Sequence, residues 1–364
     1  MALEIGIAAI KALVVLLMVL QLAGTLGWVE RKGSALIQDR IGSNRAAVFG
    51  FAGAGLVNTL MCDPLKFITK EDVVPAGADR LLHFLAPCVN LFPALVAFAV
   101  IPFGDVLQIG EQTVNLQVAP LNVGVLYVLA MVSLGVYGVV LGGWASNNRW
   151  SLLGGIRGSA QMISYELAVG LAVVSMVMTY GSLDLQAMAR AQGGVLASWL
   201  PLPAWGIFYQ PLAFLVFLCG GIAESKRVPF DLPEAESELV SGYFTEYSGV
   251  KHLMFFMTDF IEIIIVSGMV ATLFFGGWQV PFLARDGFHL GGGMIALPQI
   301  VVVLLQLLSF TVKVLFFCWL QIMIRWTLPR FRYDQLMRLG WKGLLPLALA
   351  NVVLTAAIIL AVHS

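Results

Sequence analysis

Six carboxylates, Glu224, Asp231, Glu234, Glu236, Glu238 and Glu246, crowd into residues 224–248 beside a single Lys226-Arg227 pair. The rest of the chain is poor in charge: of 364 residues only 12% are charged and 59% are hydrophobic. Glu234 and Glu238 stand at i and i+4, where like charges repel and raise the proton affinity of at least one of them. Clustered carboxylates of similar affinity can pass protons from one to the next, which suits proton uptake at a membrane boundary. Part of the cluster also has a purely structural reading. Asp231, followed by Leu232-Pro233, can cap a helix whose first turn carries Glu234 and Glu236, where the helix dipole favours negative charge. That reading leaves Glu224, Glu238 and Glu246 without a reason.

Further charges interrupt long apolar runs: Lys11, Glu166, Asp259, Glu262 and Lys313. A charge at mid-bilayer costs about 2.5–3.5 kcal/mol on insertion scales, so each needs a partner or a task. Lys11 and Lys313 read equally well as polar glue between helices, for example as a Glu262–Lys313 pair. Asp259 and Glu262, three residues apart, share one helix face. Glu166, in Ser164-Tyr165-Glu166, reads as a proton relay facing the interior of a bundle. Metal chemistry has no comparable signature. Cys62, Cys88, Cys219 and Cys318 lie far apart, and four scattered histidines complete no zinc or iron–sulfur pattern. With zero net charge, nothing in the totals suggests nucleic acid.

The elements that hold these residues are membrane spans. The mean hydropathy of +0.89 excludes an ordinary soluble domain. Eight apolar stretches, near 5–28, 84–103, 121–142, 158–180, 205–223, 253–276, 298–322 and 343–362, are each about 20 residues, enough for a hydrocarbon core of about 30 Å. The expected fold is an all-α polytopic membrane protein forming a single integral domain over residues 1–364. The odd-numbered connections carry 17 of the 21 basic residues and are therefore expected to face the cytoplasm, with both termini outside. The outer connections, such as 277–298, are rich in Gly and Pro and look structural. The first cytoplasmic connection, 29–83, contains Asp63-Pro64, a candidate helix start with Asp63 as cap. Lys66 and Lys70 then fall on one face and Leu65 and Ile68 on another, the pattern of a helix lying in the interface. The acidic cytoplasmic connection spans 224–252.

Four segments together resemble the membrane-embedded H-type component of respiratory complex I, the equivalent of mitochondrial subunit 1. They are Glu30-Arg31-Lys32 with Gln38-Asp39-Arg40-Ile41-Gly42; Gly143-Trp144-Ala145-Ser146-Asn147-Asn148 with Gln161 to Glu166; the acidic stretch with Pro229-Phe230-Asp231-Leu232, Glu236 to Val240 and Glu246-Tyr247; and Pro329 to Met337 with Gly340-Trp341-Lys342. The resemblance implies a membrane half of a quinone site and the start of a proton path. Glu30, Arg31, Lys32, Arg40, Asp63, Lys66 and Arg227 would line the quinone chamber or its mouth. Glu166, Glu224, Asp231, Glu234, Glu236, Glu238 and Glu246 would form the proton path. NADH, FMN and iron–sulfur clusters would sit in partner subunits, quinone would be substrate, and the chain would catalyse nothing alone. Partners would be the peripheral subunits of the quinone site, antiporter-like membrane subunits and lipid, in a bacterial plasma membrane. The sequence departs from the family's usual residues at Ser43, Ser225-Lys226, Asp259 and Glu262. Rival readings are the related membrane component of an energy-converting hydrogenase, a stand-alone proton-coupled transporter, and a purely structural anchor.

Overall fold

A computed structural model describes residues 2–42, 55–109, 112–197, 200–290 and 293–363. Ser43, Arg45 and much of the apolar stretch 47–62 lie outside the described residues, as does the side chain of Glu236. The helices expected to cross the membrane are α1 (Ala2–Ile37), α2 (Arg80–Ala97), α3 (Gly124–Ala145), α4 (Arg149–Tyr180), α5 (Pro211–Glu224), α6 (Gly249–Phe274), α7 (Gln299–Thr327) and α8 (Leu345–His363). Tyr333–Arg338 and a π-helical turn, Leu339–Leu344, lead directly into α8.

Seven of the eight are long and apolar enough to span. The exception is α5, whose 14 residues reach only about 21 Å. The apolar stretch 205–223 is divided: a single turn, Gly206–Tyr209, precedes a break at Gln210, and Pro211 opens the helix proper. Gln210 donates to Thr179 at 3.2 Å and Thr355 at 2.9 Å and accepts from Asn351 at 3.0 Å. The break thus carries a buried polar junction between α4, α5 and α8, where hydrocarbon alone would leave amides unsatisfied.

Other boundaries also move. The 36 residues of α1 extend about 54 Å, so Glu30-Arg31-Lys32 lie on the helix rather than after it. α4 starts at Arg149, where the Asn148 side chain accepts from the Trp150 N–H, and ends at Gly181 in the left-handed conformation, φ +64°. Asp63 does not cap the interfacial helix. The helix Asp63–Thr69 continues a helical run that starts at Gly55, and the Asp63 carboxylate turns to Arg31 instead.

α6 forms the axis of the bundle, with nearly every side chain from Thr258 to Phe274 buried. α1, α2, α5 and α7 pack around it and α4 packs against α5. The lipid-facing sides of α1, α7 and α8 remain apolar and open, as Leu13, Leu304 and Val353 illustrate.

Small antiparallel sheets, which the hydropathy pattern does not announce, occupy three even-numbered connections: Val106–Ile109 with Gln112–Asn115, Val195–Ala197 with Leu200–Pro203, and Leu283–Ala284, Gly287–Leu290 and Gly293–Ala296. Asp105 ties these connections together. Its buried carboxylate accepts from Arg190 at 2.8 Å and Arg285 at 2.7 Å, the two basic residues of the even-numbered connections. Asp105→Asn is expected to cost about 1–3 kcal/mol, because Arg190 and Arg285 are accessible enough to rehydrate. Thermal unfolding of the purified assembly and protease nicking of these connections would measure the loss.

The Glu262–Lys313 pair, one of the readings open for these charges, does not form. Lys313 Nζ donates to the carbonyls of Phe275, Gly277 and Gln279 at 2.8, 2.9 and 2.7 Å, closing the C-terminal end of α6. Lys11 similarly donates to the carbonyls of Asn115 and Gln117.

Candidate functional site

The acidic connection does not begin a helix at Pro233. Residues 225–235 fold as turns, followed by a single α-helical turn, Glu236–Leu239, and a 3-10 turn, Gly242–Phe244. Asp231 is therefore not a helix cap, and the structural reading of Glu234 falls with it. The local reason is packing: Gln161 on α4 donates to the carbonyls of Ala223 at 2.7 Å and Phe230 at 2.8 Å, pulling the segment onto the bundle. Phe230 is buried against Tyr165 and Phe331. Gly242, at φ +58°, lets the chain cross over itself, since a Cβ there would collide with the Pro233 carbonyl.

Held in this way, the segment drives its two cations inward. Lys226 is completely buried, with Nζ 3.2 Å from Asp259 and 3.0 Å from Glu262 on α6. Burial alone would lower its affinity for a proton, but the two carboxylates outweigh burial and hold the ammonium charged. Arg227 lies 4.3 Å above the Phe260 ring and 3.4 Å from Glu30. Glu30 also accepts from Arg325 of α7 in a short bond.

Buried and half-buried carboxyls form a sequence in space. Glu234 faces Asp259 of α6, and burial followed by the Asp259 charge holds its proton affinity well above normal. Asp259 leads through Lys226 to Glu262. Glu262 and Glu224 line a common cavity of about 30 Å³ with Val128, Val132 and Met269, room for roughly one water. Glu224 feels the charges of both Glu262 and Glu166. Glu166, half-buried on α4, accepts a short hydrogen bond from Ser133 on α3.

Asp231 flanks this string. Burial raises its carboxyl to about 6, against the opposing charges of Arg330 and Arg325. Because affinity is higher in the fold than in the unfolded chain, the stabilisation from this group is complete below about pH 4 and is lost as pH rises through about 6. Asp231→Asn is expected to remove that slope, as thermal melts of parent and variant across the same window would show.

Not every candidate joins the string. Glu238 is exposed and pairs with Arg157 at 3.0 Å, an arrangement worth at most about 1 kcal/mol. Glu246 accepts from Asn148 at 2.6 Å, away from the buried charges. Among the chamber candidates, Arg31 and Asp63 pair at 3.1 Å and line a cavity of about 220 Å³ between α1, the interfacial helix and α6. Gly27, Thr59, Phe67, His252 and Phe256 also line it. Lys32 reaches the Ile41 carbonyl, Arg40 pairs with Gln38 on the surface, and Lys66 is exposed. Conversely, Lys226, Asp259, Glu262 and Arg325 are central, although sequence reasoning leaves them out of the candidate site. The intramembrane position of Asp259 and Glu262 is the signal that could have found them. No cluster of potential metal ligands occurs among the described residues.

A family described as NADH dehydrogenase matches residues 10–356. A relative from Geobacter sulfurreducens, one of its H-type NADH-quinone oxidoreductase subunits, is 47% identical over 99% of this chain and 98% of its own length. An H-type NADH-quinone oxidoreductase subunit from Cytophaga hutchinsonii is 44% identical over 92% and 91%, and NADH-quinone oxidoreductase subunit 8 from Rhodothermus marinus is 45% identical over 96% of each. The chain belongs to the NADH dehydrogenase family of complex I membrane subunits. The family match runs from α1 into α8 and so includes every residue of the buried string.

Proposed function

We propose that this chain is the membrane subunit of a proton-pumping NADH:quinone oxidoreductase that couples quinone reduction to a lateral proton path. The observation that carries the proposal is the run of buried and half-buried charges from Glu30 through Arg227, Glu234–Asp259, Lys226, Glu262 and Glu224 to Glu166. One end lies on α1 near the 220 Å³ cavity and the other at the contact of α3 and α4. Quinone enters from lipid beside α1 and the interfacial helix. Arg31 and Asp63 orient its polar head, and Glu30, Arg227 and Arg325 sense the charge created at the partner subunits. A proton shared by Glu234 and Asp259 then moves, and Lys226 keeps the inner carboxyls poised for exchange.

NADH, FMN and the iron–sulfur clusters belong to partner subunits. Peripheral subunits close the quinone chamber, and antiporter-like membrane subunits receive the path beyond Glu166. The odd-numbered connections face the cytoplasm, both termini lie outside, and the assembly resides in a bacterial plasma membrane. The names of the relatives weigh against an energy-converting hydrogenase, and the many buried charges weigh against a passive anchor.

The test compares Glu234→Gln with Glu238→Gln in the intact assembly reconstituted in liposomes. Glu234→Gln should lose coupled proton translocation. Glu238→Gln should retain it, because Glu238 contributes only an exposed ion pair. Normal quinone reduction with normal pumping in Glu234→Gln would sink the proposal.

A further inference from the structure

A second set of buried polar groups runs along one face of α2, outside the string already described. His83, at the start of α2, is fully buried, with its ring stacked on Tyr247 at 4.0 Å. Its Nδ1 lies 3.3 Å from Lys251 Nζ, and Lys251 reaches the half-exposed Asp72 at 2.8 Å. The other ring nitrogen, Nε2, has no side-chain partner, and the Glu246 backbone lies close to the ring. Two turns further along the same face, Asn90 is 1% exposed, and neither its Nδ2 nor its Oδ1 is bonded. Beyond it, Glu262 has one oxygen on Lys226 and the other unbonded.

Gly135 connects Asn90 with Glu262. A Cβ there would lie 3.6 Å from Asn90 Oδ1 and 3.9 Å from Glu262 Oε1, the oxygen that accepts from Lys226, so both groups face one point on α3. Proline supplies further attachment points. Pro87 and Pro93 lie inside α2 and have no N–H, which deprives the carbonyls of His83 and Val89 of their usual helical donors. An unbonded buried polar group costs about 1–3 kcal/mol, and a row of them on one helix face is the signature of a water site.

We infer that His83 and Asn90 bind water and form a proton uptake branch from the cytoplasmic surface at Asp72 and Lys251 down α2 to Glu262. This rests on the proton-carrying role proposed for Glu262 and its neighbours. The branch reaches the string in its middle, so the string can be reprotonated without a proton passing the cavity beside α1. The charged groups facing it are Asp72, Lys251 and Glu246 near His83, and Lys226, Asp259 and Glu224 near Glu262. Asn90 is a positioning residue: its amide accepts from one water and donates to the next while exchanging no proton itself.

The test uses the intact assembly in inverted membrane vesicles, in a background lacking the four native cysteines of this chain. A small water-soluble methanethiosulfonate reagent added from the cytoplasmic side should modify Asn90→Cys, and adding His83→Trp should slow that modification several-fold. Asp72→Cys serves as the surface control. An unreactive Asn90→Cys beside a fully modified Asp72→Cys would overturn the branch. In liposomes, Asn90→Leu should lower proton translocation per quinone reduced several-fold while the KM for quinone stays unchanged. Normal translocation in Asn90→Leu, with Glu234→Gln impaired, removes the branch and leaves the string. Normal translocation in Glu234→Gln removes the coupling role itself, and the cysteine modification still reports whether water reaches Asn90.

Discussion

Lys226→Met is expected to destabilise the chain by about 3–5 kcal/mol, the typical cost of removing one partner from a buried ionic cluster. Lys226 is completely buried and is the cation at bonding distance from both Asp259 and Glu262. Without it, two carboxylates remain on one face of α6, deep in the bundle, and at least one must take up a proton to stay there. Methionine matches the volume, so little of the loss comes from packing. The thermal midpoint of the purified assembly should fall, and the chain should dissociate more readily in detergent. The double variant Lys226→Met with Glu262→Gln should recover much of that stability, because a neutral buried set avoids the desolvation cost of the charges. It should not recover pumping, since the fixed cation is gone. An unchanged midpoint in the single variant would show that Lys226 is hydrated and not the centre of the cluster.

The second large effect is expected in Glu234→Gln. Glutamine keeps the length of the side chain and can still donate to Asp259, so the fold of residues 225–235 should persist. What disappears is the exchangeable proton of the Glu234–Asp259 pair. Loss of a positioned proton donor typically slows transfer by about 10²–10⁴-fold, and coupled translocation should drop by at least about 10². Assembly and thermal midpoint should stay close to the parent, which separates this variant from Lys226→Met. The two measurements are proton translocation in liposomes and the infrared carboxyl band of the protonated pair, which should vanish in the variant. Persistence of that band would assign the proton to another carboxyl.

Much of the architecture follows from composition. Apolar runs of about 20 residues can only be spans in a chain this poor in charge, and the basic residues segregate by connection. Charges such as Asp259 and Glu262 are conspicuous because bilayer insertion penalises them whatever their neighbours. The interior of the acidic connection is less legible. From its residues, Asp231-Leu232-Pro233 reads as a helix start, yet Gln161 and the crossing at Gly242 fold it back on the bundle as turns. Glu234 and Glu238, which would share a face if helical, end in different environments, one half-buried against Asp259 and one exposed beside Arg157.

The amino-acid sequence by itself determined the membrane class, the seats of most helices and the family, because hydrophobic length and local motifs are one-dimensional properties. It also marked which charges would need partners. Only the tertiary structure decided the partners: Lys313 capping the end of α6 rather than pairing with Glu262, Lys226 taking its place, and Glu30 meeting Arg325 across the fold. Such pairings join residues far apart in the chain, and a buried charge accepts whichever opposite charge or carbonyl the packing of the helices brings within about 3 Å.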